Sequence, residues 1–178
     1  MRSAYIGISQ CITFASNDQM KDITKKAQLL VVSPMRRTSQ TATLCFPDLI
    51  HSIPWIGLEY VREQSGAHPC DRRRPISEQA KYFPYIDYTH CTSDIDDLYA
   101  LYPNTREPDE EVTKRGLSFI NWIKQRPETD IIIVTHSAYI KHILTTCVEL
   151  ILHDDDGHIN DYRMKFNNCE MRSYRLPV

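Results

Sequence analysis

The sequence predicts an α/β fold in which a mainly parallel sheet is flanked by helices on both faces. Two short apolar runs, LLVV at 29–32 and IIIV at 131–134, are each bounded by polar residues. Continuous apolar runs of this length are typical of strands that are covered on both faces. Each run is followed by a segment with helical periodicity, and this order of elements with short turns indicates parallel pairing.

The first part of the chain is predicted to contain two helices and two strands. A helix over Gly7–Met20 carries four small or apolar residues on one face, namely Ile8, Cys11, Ile12 and Ala15. A strand over Gln28–Ser33 and a helix over Arg36–Leu44 follow. The next strand, Ile50–Trp55, contains Pro54, which limits it to an edge position or a short length because proline donates no ladder hydrogen bond.

The second part of the chain has the stronger periodicity. The segment from Tyr60 to about Asn104 is rich in Tyr, Pro and Asp, and an irregular segment of that length is more often a functional loop or lid than filler. We then expect a helix over Pro108–Arg126, a strand over Asp130–Thr135 and a helix over Tyr139–Leu152. The tail Cys169–Leu176 is predicted to add an edge strand. The apolar stripes of the two helices comprise Val112, Gly116, Phe119, Ile120 and Ile123, then Ile140, Ile143, Leu144, Cys147 and Val148.

Composition indicates one ordinary globular domain, residues 1–178, and restricts its partners. The 21 Lys and Arg against 23 Asp and Glu give a net charge of −2, so no global field attracts nucleic acid or membrane, and any anion site must be local. No apolar run approaches the ~18 residues of a membrane span, and the N-terminus lacks the apolar core of a signal peptide. The 6 Cys are scattered without a C-x-x-C pair. We therefore expect a cytoplasmic protein with free thiols and no metal site.

Two segments follow the predicted strands directly and contain residues suited to an anion. VVSPMRRT places Arg36 and Arg37 just after the first strand, and IIIVTHSAYI places His136 just after the second, at the start of a helix. Ligands of parallel sheets bind at the carboxyl ends of the strands, and helix N-termini favour anions. An arginine and a histidine that converge there suit a phosphate better than a carboxyl group or a metal.

Five separated motifs resemble the histidine phosphatase superfamily, the family with the phosphoglycerate-mutase-like fold. In chain order they are S-P-M-R-R-T-x-Q-T-A, R-E-Q-S-G from Arg62 to Gly66, HPCDRRRPISE, V-T-H-S, and NCEMRS from Asn168 to Ser173. The third and fifth are similar to a phosphoglycerate-mutase-like subgroup of plants and fungi. The similarity spans nearly the whole chain, from about Gly7 to Arg175.

The resemblance implies catalytic roles for three residues. Arg37 would clamp the phosphoryl oxygens through a two-pronged guanidinium contact, whereas Arg36 would point outward. His136 would donate a hydrogen bond to the phosphoryl group as charge develops. Glu63 would be the general acid that protonates the leaving oxygen, with Glu59 as the competing assignment.

The consecutive Arg72, Arg73 and Arg74 are candidates for binding a second anionic group of the substrate at the mouth of the site. Three consecutive charges cannot all face one way, so at least one is expected to be solvated. A nucleic-acid role is disfavoured because no aromatic residues alternate with these charges. The implied chemistry needs no cofactor, and its partner is a small phosphorylated substrate or a phosphate anion. The sequence does not indicate an oligomeric state.

One part of the family pattern has no counterpart here. Members attack phosphorus with a histidine of an R-H-G motif that follows the first strand, and none of the 7 His of this sequence lies in such a motif. We therefore expect an N-terminally incomplete domain without that central strand. Three explanations stay open: an incomplete gene product of a phosphatase or phosphomutase, a pseudoenzyme that binds phosphorylated ligands, or substitution by another histidine such as His51 or His68.

Overall fold

The computed structural model of the chain describes residues 2–66, 68–147, 166–174 and 176. Its sheet has three parallel strands in the order β2–β1–β3. They are β1 at Leu29–Val32, β2 at Trp55–Gly57 and β3 at Ile131–Val134. In the register of this sheet, Val31 of the central strand pairs with Ile56 on one side and with Ile133 on the other. The predicted α/β fold with a parallel sheet is confirmed.

The described residues form seven α-helices and three short 3₁₀ turns around this sheet. The helices are α1 Arg2–Ala15, α2 Asp18–Thr24, α3 Arg36–Cys45, α4 Ile76–Tyr82, α5 Asp97–Leu101, α6 Asp109–Lys124 and α7 Ser137–Thr146. The 3₁₀ turns are Pro47–Leu49, Glu59–Val61 and Pro69–Asp71. None of these helices combines the length and the apolar character that crossing a lipid bilayer requires.

The central strand β1 separates two layers of the hydrophobic core. Its four side chains are fully buried. Leu29 and Val31 pack into a layer that α6 and α7 complete, whereas Leu30 and Val32 pack against residues of α1 and α3. Because successive side chains of a strand point to opposite faces, a continuous apolar run needs cover on both sides. Helices therefore lie on both faces of the sheet, as predicted.

The strongest sequence patterns were assigned correctly. The strands β1 and β3 and the helices α3 and α6 agree with the predicted ranges to within two residues. The predicted stripe of α6 is buried in full: Val112, Gly116, Phe119, Ile120 and Ile123. The helix α7 begins at Ser137 and is described up to Thr146, and the remainder of its predicted range after residue 147 lies outside the described residues.

Other predicted elements were wrong in extent. The helix predicted over Gly7–Met20 is two helices, because the Asn17 side chain accepts a hydrogen bond from the Met20 N–H at 3.3 Å and begins α2. On the predicted apolar face Cys11 is buried, but Ile8 and Ile12 are exposed. The strand predicted over Ile50–Trp55 starts only at Trp55, after Pro54, and lies at the sheet edge as expected.

The irregular middle segment and the tail also differ from expectation. The segment between Tyr60 and Asn104 contains α4 and α5, which weak periodicity had concealed. The predicted edge strand in the tail is wrong over its described residues, where a turn at Asn168 and Cys169 leads into chain without a strand.

A buried ionic network anchors this middle segment. Both Nη atoms of the fully buried Arg62 donate to the carboxylate of Asp96, at 2.6 and 2.8 Å. Glu59 contacts the same guanidinium at 3.1 Å, and its other oxygen lies 2.7 Å from Nε of the buried Arg73. Although burial opposes the charged form, the hydrogen bonds and charge of Arg62 lower the pKa of Asp96. The network thus ties Arg62, the first residue of the R-E-Q-S-G motif, to a loop over thirty positions away.

Replacing Asp96 tests how much this network contributes to the free energy of unfolding. Asp96→Asn leaves the buried Arg62 without its bidentate carboxylate, so we expect a loss of about 3 kcal/mol in the free energy of unfolding, measured by urea denaturation. The matched control is Glu78→Gln, which removes a 2.7 Å pair with Arg74 at the surface and should cost less than about 1 kcal/mol. Equal losses in the two variants would contradict a structural role for the network.

Candidate active site

The carboxyl ends of β1 and β3 meet at one edge of the sheet. β1 leads through Ser33 into α3, and β3 leads through His136 into α7. His136 is buried, and its Nε2 lies 2.9 Å from Oγ of Ser33, within hydrogen-bond distance. This contact joins the two strand ends side chain to side chain. A ligand at this edge therefore meets residues from both crossovers of the sheet.

The imidazole of His136 is neutral at physiological pH. Burial, followed by the positive charges of Arg37, Arg62 and Arg115, lowers its pKa to about 3. A neutral imidazole has one donor and one acceptor nitrogen. Since no proton has to be gained or lost near neutral pH, His136 can hold a steady hydrogen bond to an anion while three guanidinium groups nearby supply the positive charge.

Glu63 stands beside the start of α7. Its Oε1 accepts hydrogen bonds from the backbone N–H groups of Gln64 and Tyr139, each at 3.1 Å. Burial raises the pKa of Glu63, although these hydrogen bonds and the charge of Arg37 oppose the rise. A carboxyl group with a raised pKa retains its proton more readily, which suits a general acid. The competing candidate Glu59 is engaged by the arginines of the buried network instead.

Arg37 lies in the first turn of α3 with an exposed side chain. Its Nη1 donates to the backbone oxygen of Cys70 at 2.6 Å, which uses one of five guanidinium N–H groups. The charge of Arg37 acts on both His136 and Glu63, lowering the pKa of each. Arg37 and His136 thus lie where α3 and α7 begin at the carboxyl ends of β1 and β3, and Glu63 contacts the first turn of α7.

Two residues that the sequence analysis missed hold the loop of Glu63. Arg115 of α6 contacts both carboxylate oxygens of the buried Glu107, at 2.8 and 2.9 Å. The same guanidinium donates to the backbone oxygens of Arg62 at 2.9 Å and of Glu63 at 3.4 Å. Its role depends on contacts between distant segments, and the helical stripe of α6 contains no signal for it.

The last residue of the R-E-Q-S-G motif must be glycine for a steric reason. Gly66 has φ +90°, and a Cβ at this position would lie 1.9 Å from the backbone oxygen of Thr105. A short bridge to Arg106 pairs the two backbones there, and the preceding Ser65 N–H donates to Glu107 at 3.0 Å. Only glycine permits this approach. The glycine at the end of the motif is therefore the sequence feature that corresponds to the sharp turn of the loop carrying Glu63.

The three consecutive arginines have different environments. Arg73 is buried, and its guanidinium donates to four backbone oxygens, those of Ser93, Asp94, Ile95 and Arg74. These contacts engage it inside the protein, so a substrate-binding role does not fit this residue. Arg72 and Arg74 are exposed, as the expectation of at least one solvated charge required; Arg72 faces the ring of Tyr99, and Arg74 pairs with Glu78. A contact of Arg72 or Arg74 with the substrate stays a prediction.

The buried neutral His136 predicts a pH dependence of stability. Its folded pKa lies below the ordinary value of 6.5, so only the unfolded chain takes up this proton as the pH falls below 6.5. The associated stability is complete above pH 6.5 and is lost towards pH 3, with a slope of at most about 1.4 kcal/mol per pH unit. His136→Gln should flatten the dependence of urea-unfolding free energy between pH 7 and 4.5.

The exposed His68 supplies the control for this measurement. His68→Gln should leave the slope between pH 7 and 4.5 as in the unmodified chain. An unchanged slope in His136→Gln would show that the imidazole is not buried in its neutral form.

Comparison with known proteins gives matches over nearly the whole chain. The model of the histidine phosphatase superfamily (branch 1) matches residues 7–172. A "Phosphoglycerate mutase-like protein" of Arabidopsis thaliana is 32% identical over 194 aligned positions, which cover 94% of this chain and 70% of the relative. "Phosphoglycerate mutase-like protein 1" of the same plant is 31% identical, over 94% of this chain and 67% of that protein. A match over nearly the whole chain, with a parallel α/β sheet, shows that the chain belongs to the histidine phosphatase superfamily.

Proposed function

We propose that the site binds the phosphoryl group of a small phosphorylated compound and serves phosphomonoester hydrolysis through a phosphohistidine. The observation that carries the proposal is geometric: His136 contacts Ser33 at 2.9 Å where β3 and β1 end, and Arg37 lies in the first turn of the helix that follows β1. Glu63 accepts a hydrogen bond from the N–H of Tyr139 at the start of α7, next to His136. A phosphate needs a bidentate cation and hydrogen-bond donors, and a leaving alkoxide needs an acid. The substrates we expect are small cytoplasmic phosphomonoesters.

Each group has one task in this reaction. The guanidinium of Arg37 donates hydrogen bonds to two phosphoryl oxygens. His136 donates a hydrogen bond to the third oxygen as negative charge develops on it. Glu63 gives its proton to the ester oxygen when the P–O bond breaks. Arg72 and Arg74, both exposed, are available for a second anionic group of the substrate.

The attacking nitrogen is the one group of the scheme that the described site does not supply. The 178-residue sequence contains no Arg-His-Gly motif. The alternative histidines, His51 and His68, are exposed, and no hydrogen bond or ring contact within the described residues links either to Arg37 or His136. Hydrolysis therefore requires an attacking histidine other than His51 or His68.

This lack of an attacking histidine favours a second candidate function, namely binding of a phosphorylated ligand without turnover. The same Arg37 and His136 would hold the anion, and Glu63 would have no leaving group to protonate. A phosphomutase is the third alternative, and it differs from a phosphatase only in returning the phosphoryl group to an acceptor hydroxyl rather than to water.

Two adjacent arginines provide a matched test of phosphoryl binding. Orthovanadate, a phosphate analogue, should bind the 178-residue chain, and Arg37→Lys should weaken the affinity at least tenfold because a lysine cannot make the bidentate contact. Arg36→Lys is the control, since Arg36 lies against the ring of Tyr82, 4.3 Å from its centroid. Its affinity, measured by isothermal titration calorimetry, should stay within twofold.

Turnover separates the candidate functions. We expect the 178-residue chain to bind vanadate yet leave p-nitrophenyl phosphate intact, whereas a chain carrying an R-H-G segment before Gly7 should hydrolyse it and lose activity when that histidine becomes alanine. If the longer chain binds but stays inactive, the binding function is correct and the phosphatase proposal is wrong. Equal vanadate affinity in Arg37→Lys and Arg36→Lys would overturn both.

A further inference from the structure

Three cysteines from distant parts of the chain meet on the side of the sheet opposite α6 and α7. Cys11 belongs to α1, Cys45 ends α3, and Cys169 lies in the C-terminal segment 166–174. Their Sγ atoms all lie within 4.8 Å of one another, and those of Cys11 and Cys169 are 3.3 Å apart. The sequence analysis expected no metal site because the cysteines are scattered along the chain. Their proximity arises only in the folded structure, so spacing could not reveal it.

The cluster is shielded from water and has soft ligands. Cys11 and Cys45 are buried, and Cys169 is half-buried. The rings of Phe14 and Phe46, 5.5 Å apart, pack in the same layer of the core. Thiolates select soft cations such as Zn²⁺ or Cu⁺ over the hard ions Mg²⁺ and Ca²⁺.

The distances fit a three-thiolate site. A Zn–S bond is about 2.3 Å, so two sulfurs on a tetrahedral zinc lie about 3.8 Å apart. The Sγ atoms of Cys11 and Cys169, at 3.3 Å, lie within about 0.5 Å of that value, and none of the three separations exceeds 4.8 Å. We propose that Cys11, Cys45 and Cys169 form a binding site for a thiophilic cation, Zn²⁺ being the ion to test, which fastens α1, α3 and the C-terminal segment together.

The backbone at Cys169 supports a ligand role. Its φ is +56°, in the left-handed region that residues other than glycine rarely adopt. The turn is held by Glu170, whose Oε2 accepts from the backbone N–H and the side-chain amide of Asn167, at 2.8 and 3.0 Å. The turn thus fixes the backbone at Cys169, whose Sγ lies within 4.8 Å of the other two thiols.

A groove beside the cluster leaves room for the fourth ligand. It has a volume of about 400 Å³, and Cys169, Gln10 and Met171 are among its lining residues. The side-chain oxygen of Gln10 is buried and has no hydrogen-bond partner within the described part of the chain. Because Cys169 lines this groove, a water molecule there has access to one ligand of the site and can complete a tetrahedral site, as zinc sites with three protein ligands contain.

A single disulfide explains the cluster less well. A disulfide bond between Cys11 and Cys169 would use two thiols and would give Cys45 no role, although all three thiols lie close together. Each must lose a proton to bind metal, and binding should therefore weaken as the pH falls.

Thiol protection on the unmodified chain tests the site without a folding artefact. The reduced, metal-free protein is incubated with one equivalent of Zn²⁺, alkylated with iodoacetamide and mapped by mass spectrometry. We expect zinc to slow alkylation of Cys11, Cys45 and Cys169 at least tenfold. Cys70 and Cys91 lie outside the cluster and should react at the same rate with and without zinc.

Cadmium titration supplies the second measurement. The sulfur-to-metal charge-transfer band should saturate at one Cd²⁺ per chain and be lost in Cys45→Ala and Cys169→Ala, while Cys91→Ala retains it. The far-ultraviolet circular dichroism of each variant before metal addition shows whether it folds. Equal alkylation of all cysteines with and without zinc would overturn the proposal, as would a Cys11–Cys169 disulfide that forms in air in the presence of Zn²⁺.

Discussion

The parallel pairing of β1 with β3 is the constraint on which the site depends. Their register continues from Leu29 opposite Ile131 to Val32 opposite Val134, so the next residues along each strand emerge together. Ser33 and His136 meet there at 2.9 Å, and the helices that follow begin at the same edge. A shift of one residue in this register would turn every side chain of β3 to the other face and separate the pair.

Two arginines, the buried Arg62 and the half-buried Arg115, then fix the loop of Glu63 against that edge. Arg62 and Arg115 belong to separate ionic pairs, with Asp96 and with Glu107, and both contact the backbone or side chains around Glu63. Their charges also lower the pKa of His136, after burial itself. The arginines that order this irregular segment thus add to the effect of burial on the pKa of the imidazole.

Local patterns predicted β1, β3 and α6 because the apolar residues of each segment follow the periodicity of the element that it forms. They failed at two local signals: Asn17 accepts from Met20 and begins a second helix, and the strand expected from Ile50 begins only at Trp55, after Pro54. In the site, the motifs led to Arg37, Glu63 and His136. The supporting Arg115 and the buried position of Arg73 depend on partners far away in the chain, and neither could be predicted from spacing.

A structure of the 178-residue chain with bound phosphate is the most direct test of the central claim. The account predicts one phosphate at the carboxyl edge of β1 and β3, with two oxygens on the guanidinium of Arg37 and a third within 3.2 Å of a nitrogen of His136. A phosphate bound elsewhere, with the Arg37 and His136 side chains on opposite sides of the molecule, would contradict it.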